Sequence, residues 1–242
     1  MAKDLENTMN GNNIHLLTQI NAETTNGLII QMTQWLNNLS FTKQGDMFYQ
    51  EKQITPAAGS TLRIINAKKA VDRIYTPDEK IPDHIPVLNV WINCSGGNSL
   101  QTQSILNILH IASARGAIIR TYNIGRASSS ASMIAVSGTK GYRFMGEYAY
   151  NFIHYGNSNT SIDHPKELEF AFKDIEMHHR QTREIYLNNT KLSDEEISQY
   201  FDIENSGQLF AKQCLEKGIC DWIVTNDGRF VNNAKDLQSK QR

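Results

Sequence analysis

Pro86-Val-Leu-Asn-Val-Trp-Ile92 is a short apolar run, and the Asn93-Cys-Ser-Gly-Gly-Asn98 that follows is a tight glycine turn. From Ser99 to Ala114 the apolar residues return at helical spacing, so the stretch reads as strand, turn, helix. The unit then repeats. Ala117–Tyr122 is a β-branched strand, Gly125-Arg-Ala-Ser128 a second turn, and Ser129–Ser137 a buried helix stopped by Gly138. Two consecutive units of this kind predict parallel strands joined by right-handed crossovers, with function at the strands' C-terminal ends. The fold class expected is α/β.

Working outward, Leu28, Ile29, Met32, Trp35 and Leu36 recur at three- and four-residue steps and predict an amphipathic helix over Glu23–Leu39. Downstream, short strands are expected at Tyr142–Met145 and Tyr148–Ile153. A long helix follows from Pro165, whose missing N–H suits a first helical position. Leu168, Phe172, Ile175, His179, Thr182 and Tyr186 form one stripe on it, and a helix this long is expected to project and need a second subunit to cover that stripe. Ser193-Asp-Glu-Glu196 matches a capping box. A helix at Leu209–Lys217 and a strand at Cys220–Val224 complete the body.

Residues 1–19 read as a flexible polar segment and 232–242 as a flexible tail, flanking a single domain at 20–231. Within it, residues 40–84 carry three of the five prolines and their periodicity breaks down, predicting an elaborated surface segment with a short helix near Ala67–Arg73. A role for that segment in access or partner docking is the expectation.

The 242 residues, 40% of them hydrophobic, suffice for a sizeable core. Lys plus Arg number 24 against 25 Asp plus Glu, which disfavours nucleic-acid binding. No signal peptide or membrane-spanning apolar run is read from the sequence. Cys94, Cys214 and Cys220 lack CxxC spacing and suit a reducing compartment, so the expected location is cytoplasmic. His178 and His179 are neighbours that face different ways on a helix, so no metal site is expected, and no cofactor.

Ser128, Ser129, Ser130 and Ser132 cluster where a strand meets a helix. A hydroxyl there suits a nucleophile, because a helix N-terminus favours developing negative charge. The same residues equally suit N-cap chemistry. His154 at the end of an apolar strand offers a base, Asp202 and Glu204 offer orienting carboxylates, and Gly96-Gly97 offers backbone donors for an oxyanion.

Together these motifs resemble the proteolytic subunit of the ATP-dependent Clp protease (ClpP) over about Ile85–Val224, and more faintly over the Ile20–Leu39 helix. Ile92-Asn-Cys-Ser-Gly-Gly97 is similar to the family's INSPGG turn and Gly125-Arg-Ala-Ser-Ser129 to its GxAxS motif. Phe152-Ile-His154 is similar to its MIH motif, 25 residues after Ser129 as in the family. Asn189-Thr190 with Ile197 resembles HTG…I, and Ala211–Asp221 resembles AxEAxxxGLxD. The resemblance implies a ClpP/crotonase-like fold with a projecting helix, and a serine endopeptidase acting on polypeptides.

By the same resemblance Ser129 is the nucleophile and His154 the base. Gly97 and Ser130 supply the oxyanion N–H groups. Counting from Thr190 puts Glu204 at the family's acid, while counting back from Gly218 puts Ser206 there; Glu204 is taken as third member, with Asp202 in reserve. Cys94-Ser95 departs from the family's Ser-Pro, and the stretch after His154 holds one glycine where the family has several. Homo-oligomeric rings, heptameric or doubled to fourteen, and an AAA+ unfoldase ATPase partner are implied, since no P-loop occurs in this chain. Alternatives are a decayed ring or scaffold subunit, a viral head-maturation protease, and an acyl-thioester enzyme of the same fold.

Overall fold

The computed structural model describes residues 7–38, 49–54, 62–67, 74–83, 85–154, 165–201 and 207–238. A hairpin comes first, with β1 (Thr8–Asn10) turning through Gly11 at φ +56° into β2 (Asn13–Leu16). Ile14 and Leu16 are 0% exposed, and β2 pairs in parallel with β5 (Val87–Cys94). These residues were expected to be a free segment. The correction has a simple cause: Ile14 and Leu16 alternate with polar residues, and four residues are too few for that period to stand out in an Asn-rich stretch.

Helix α1 (Ala22–Asn38) follows and buries Leu28, Met32 and Leu36. In the elaborated segment, β3 (Tyr49–Ile54) and β4 (Leu62–Ala67) form an antiparallel ladder of their own, so Ala67 ends a strand. The helix expected near Ala67–Arg73 otherwise falls on 68–73, outside the described residues.

After β5 comes α2 (Ser99–Ala114), capped by the Asn98 side chain, which accepts from the Leu100 and Gln101 N–H groups. Then β6 (Ile118–Ser128) runs straight into α3 (Ser130–Val136). The turn expected at Gly125–Ser128 is therefore strand. Hydrogen bonding on both sides explains this: β6 is flanked by β5 along its length, and on its other side by β7 (Arg143–Gly146) at Thr121–Asn123 and β8 (Tyr150–Ile153) at Arg126–Ser128. Gly125 fits there because a Cβ would stand 2.9 Å from Asn93 Oδ1.

The 25-residue α4 (Pro165–Asn189), about 37 Å long, leads to α5 (Asp194–Tyr200), whose Ser193–Glu196 capping box is formed. Next is β9 (Gly207–Phe210), antiparallel to β8, where a helix start was expected at Leu209. Four residues give no helical or strand period of their own, and the open edge of β8 decides the matter. The chain closes through α6 (Ala211–Glu216), β10 (Trp222–Val224) and β11 (Phe230–Val231). In the expected tail, Ala234–Gln238 forms a 3₁₀ turn with Ala234 and Leu237 packed on the core.

Among the described residues the sheet has nine strands, in the order β1-β2-β5-β6-β7-β10-β11 with β8 and β9 extending from the far end of β6. Helices α1, α2 and α3 cover one apolar cluster with β2, β5 and β6. A second cluster joins β8, β9 and α6 to Tyr186 of α4. On α4 itself Tyr186 is 1% exposed but Leu168 is 46% and Phe172 60%, so the described residues leave the stripe's first half exposed. Among the described residues no helix is long and apolar enough to cross a membrane.

Candidate active site

Ser129 sits between β6 and α3 at φ +55°, where the described residues include no other non-glycine with positive φ. An L-residue is strained there, and such strain persists only when its surroundings over-determine it. They do so here. The Ser129 N–H donates to the Phe152 carbonyl at 2.8 Å, and the Ser129 carbonyl accepts from the N–H groups of Ser132 at 2.9 Å and Met133 at 3.3 Å. Although Ser129 is the N-cap of α3, its hydroxyl makes no capping bond. The N-cap alternative therefore does not describe this residue, and the hydroxyl is left to the cleft it lines.

That cleft, about 550 Å³, is also lined by Gly97, Ser130 and His154. It lies at the C-terminal ends of β5, β6 and β8. Gly96, at φ +90°, packs so closely that a Cβ would stand 2.5 Å from the Ser128 carbonyl and 2.8 Å from Ser129 Cβ. The Ser130 hydroxyl donates to the Gly97 carbonyl at 3.0 Å, tying the turn to α3. Among the described residues, neither the Gly97 nor the Ser130 N–H donates to a protein group. Two backbone donors beside a hydroxyl are what an oxyanion requires.

Residues 17–20 hold this turn from behind. Ile20 donates to the Gly96 carbonyl at 2.8 Å and its own carbonyl accepts from Asn98 N–H at 2.7 Å. A Cβ on Gly97 would lie 2.0 Å from the Ile20 oxygen, at φ +148°. Gly97→Ala is therefore expected to push the turn off this contact, at a cost on the order of 1–3 kcal/mol. Thermal unfolding measures the cost, and a melting temperature equal to wild type would refute it.

His154 follows β8 and is half-buried, its ring centroid 5.3 Å from that of Phe152. Burial lowers its pKa, because a charged imidazole is penalised there. No hydrogen bond joins Ser129 to His154 among the described residues. Glu204, Asp202 and Ser206 fall on 202–206, outside the described residues. Cys94 lies behind the turn, its thiol donating to the Thr18 carbonyl at 2.9 Å, and burial pushes that thiol up. A thiol held protonated is no nucleophile.

The wall facing Ser129 comes from α4: Asp174, Ile175, His178, His179 and Thr182. Gln103 Nε2 of α2 lies 2.9 Å from His178 Nδ1 and donates to Gln181 at 2.6 Å. Burial and the neighbouring His178 lower the His179 pKa. Sequence reasoning missed this wall. Its signal was the stripe that includes Ile175, His179 and Thr182, which read as a subunit contact alone. No group of three metal-ligating side chains occurs among the described residues. A second concavity of about 650 Å³, beside Asp78, Arg229, Phe230 and Asp236, is lined by no serine, cysteine or histidine among the described residues.

Residues 48–227 match the family model for Clp protease. This chain belongs to the Clp protease family. The α/β architecture, with a sheet and six helices among the described residues, is consistent with that family's fold. Similar relatives include the chloroplastic ATP-dependent Clp protease proteolytic subunit 4 of Arabidopsis thaliana, 26% identical over 70% of this chain and 55% of its own length. The proteolytic subunit of Lactococcus lactis is 26% identical over 60% of this chain and 71% of its own. Proteolytic subunit 1 of Thermobifida fusca is 28% identical over 57% and 60%. The chain thus spans just over half of the Arabidopsis relative.

Proposed function

We propose that this Clp protease family member is a ClpP-like serine endopeptidase that hydrolyses polypeptides by a Ser-His-acid triad inside a homo-oligomeric chamber. The observation that carries this is Ser129: a strained serine with an uncapped hydroxyl, sharing one cleft with His154 and the free Gly97 and Ser130 N–H groups. Ser129 Oγ attacks the scissile carbonyl while His154 takes its proton. The tetrahedral oxyanion is held by Gly97 and Ser130. His154 then passes the proton to the leaving amine, and water, activated by the same imidazole, releases the acyl group from Ser129. Glu204, with Asp202 in reserve, is the proposed partner that orients the imidazole.

The names of the relatives support an ATPase partner, and a stacked or single ring of copies would cover the exposed residues Leu168 and Phe172 at the start of the α4 stripe. Three free buried cysteines suit a reducing, cytoplasmic setting. A second reading, a catalytically decayed ring or scaffold subunit, is favoured by one observation, the lack of a Ser129–His154 hydrogen bond. Such bonds are often long in unliganded enzymes and tighten around substrate.

Fluorophosphonate labelling with peptide mapping separates the two. A working site takes stoichiometric label on Ser129 and loses it in His154→Ala; a decayed subunit that folds and assembles takes none. The pH dependence is a further expected result. The base must be neutral; burial lowers the His154 pKa from its ordinary 6.5, whereas a carboxylate from Glu204 on the imidazole would raise it, so the acid limb of the cleavage profile is expected below pH 6.5 where burial outweighs that carboxylate. An acid limb above 6.5 in a steady-state titration would contradict burial as the dominant influence.

A further inference from the structure

Ser132 stands one helical turn beyond Ser129, and Asn151 stands three residues before His154. Inside the protein, Ser132 Oγ donates to Asn151 Oδ1 at 2.6 Å and lies 2.7 Å from Tyr186 Oη. A serine hydroxyl has one proton. With that proton on Asn151, the Tyr186 O–H must be the donor to Ser132. All three side chains are buried. Burial also pushes the Tyr186 phenol up, so it remains a donor at every working pH.

The trio joins α3, which begins at the proposed nucleophile, to β8, which ends at the proposed base, and to α4, which forms the opposite wall. Stability alone gives little reason for it. Three apolar side chains of similar volume would pack as well, whereas buried polar groups gain only when every partner is in place. What a polar trio adds is direction. A single backbone bond, Ser129 N–H to the Phe152 carbonyl, ties the strained residue to β8. The Ser130 hydroxyl on the Gly97 carbonyl and the Thr121 hydroxyl on the Ala135 carbonyl also hold α3, but neither of those bonds reaches β8. The Ser132–Asn151 bond is a second tie between the same two elements, and two points fix an orientation.

Resting on the roles given above to Ser129 and His154, we propose that Ser132, Asn151 and Tyr186 are positioning residues whose hydrogen-bonded chain sets the Ser129 hydroxyl relative to His154. Ser132 and Asn151 stand outside the cleft lining, and Tyr186, which contributes to that lining, is 1% exposed with its hydroxyl turned to Ser132. Their effect is on the placement of the reacting pair, where a shift of a few tenths of an ångström is expected to slow reaction about tenfold, given that about 1 Å costs about 10².

The test uses the full chain and Ser132→Ala, Tyr186→Phe and the double variant. The rate constant for fluorophosphonate labelling of Ser129, per folded molecule, is read from pH 5 to 9 beside thermal unfolding. Each single variant is expected to label about tenfold more slowly on the pH plateau, with the acid inflection unmoved. The double is expected to be no slower than the slower single, because residues acting as one unit are non-additive. Tyr186→Phe removes one oxygen and keeps the ring, so it decides the matter if Ser132→Ala does not fold. Wild-type rates in the singles, losses that multiply in the double, or slowing that only follows the unfolded fraction would each overturn the proposal. A wild-type protein that takes no label overturns the role of Ser129 itself, and this inference with it.

Discussion

Ser129→Ala is expected to lower peptide turnover by about 10⁶, and His154→Ala by a similar factor. The two losses are expected not to add, because nucleophile and base act as one unit: without either, only substrate binding and the oxyanion donors remain. Geometry singles out Ser129 among its neighbours. Ser128 is buried in the last pair of β6 with β8, opposite Phe152. The Ser130 hydroxyl is committed to the Gly97 carbonyl and that of Ser132 to Asn151. Ser128→Ala and Ser132→Ala are accordingly expected to keep measurable cleavage, the latter reduced about tenfold by lost positioning. The check is hydrolysis of a fluorogenic peptide by each variant at matched oligomer concentration. Unchanged activity in Ser129→Ala sinks the assignment, and lost activity in Ser128→Ala with Ser129→Ala intact would move the nucleophile by one residue.

The strand-turn-helix unit at 86–114 was legible because an apolar run, a glycine pair and a helical period occur in sequence without interruption, and α2 spans the expected Ser99–Ala114. The long helix was legible from Pro165 for the same reason, its stripe repeating over many turns. Short strands were legible in part: β7, β8 and β10 overlap the strands expected at 142–145, 148–153 and 220–224, whereas others were missed. β2, β9 and β11 have two to four residues each, and their conformation is decided by the edge they pair with rather than by a period of their own. β6 shows the opposite failure: Gly125 reads locally as a turn, yet hydrogen bonds to β5 and β8 carry the strand through it. At the site, the serine cluster, His154 and the glycine pair could be named from residue type and order. The positive φ of Ser129 and the bonds from Ile20 to the turn could not, since both arise from elements far apart in sequence.

Asp221→Ala is expected to destabilise the fold by about 3–5 kcal/mol, the cost of leaving a buried cation without its partner. Arg143 on β7 is 4% exposed. Its guanidinium donates from Nε to Asp221 Oδ2 at 2.8 Å and from Nη2 to Asp221 Oδ1 at 2.6 Å, a bidentate pair. Nη1 donates to the Asn189 carbonyl at 2.5 Å, at the C-terminal end of α4. Asp221 Oδ2 also accepts from the N–H groups of Gly141 at 2.7 Å and Arg143 at 3.1 Å. One ion pair thus fastens the end of the long helix to the sheet and to the turn before β10. Truncating Asp221 removes four of these bonds and leaves the charge in place, so the melting temperature is expected to fall by about 6–20 °C for a chain of this size. The loss is expected to persist at high salt, because a buried pair is poorly screened. Replacing both partners, Arg143→Met with Asp221→Leu, is expected to recover much of it, since no uncompensated charge then remains. A melting temperature within about 1 °C of wild type in Asp221→Ala would mean that the pair does not hold α4. The inner end of the cleft's far wall would then rest on its other anchors, the Tyr186–Ser132 hydrogen bond and the Lys191 N–H to Lys217 carbonyl bond.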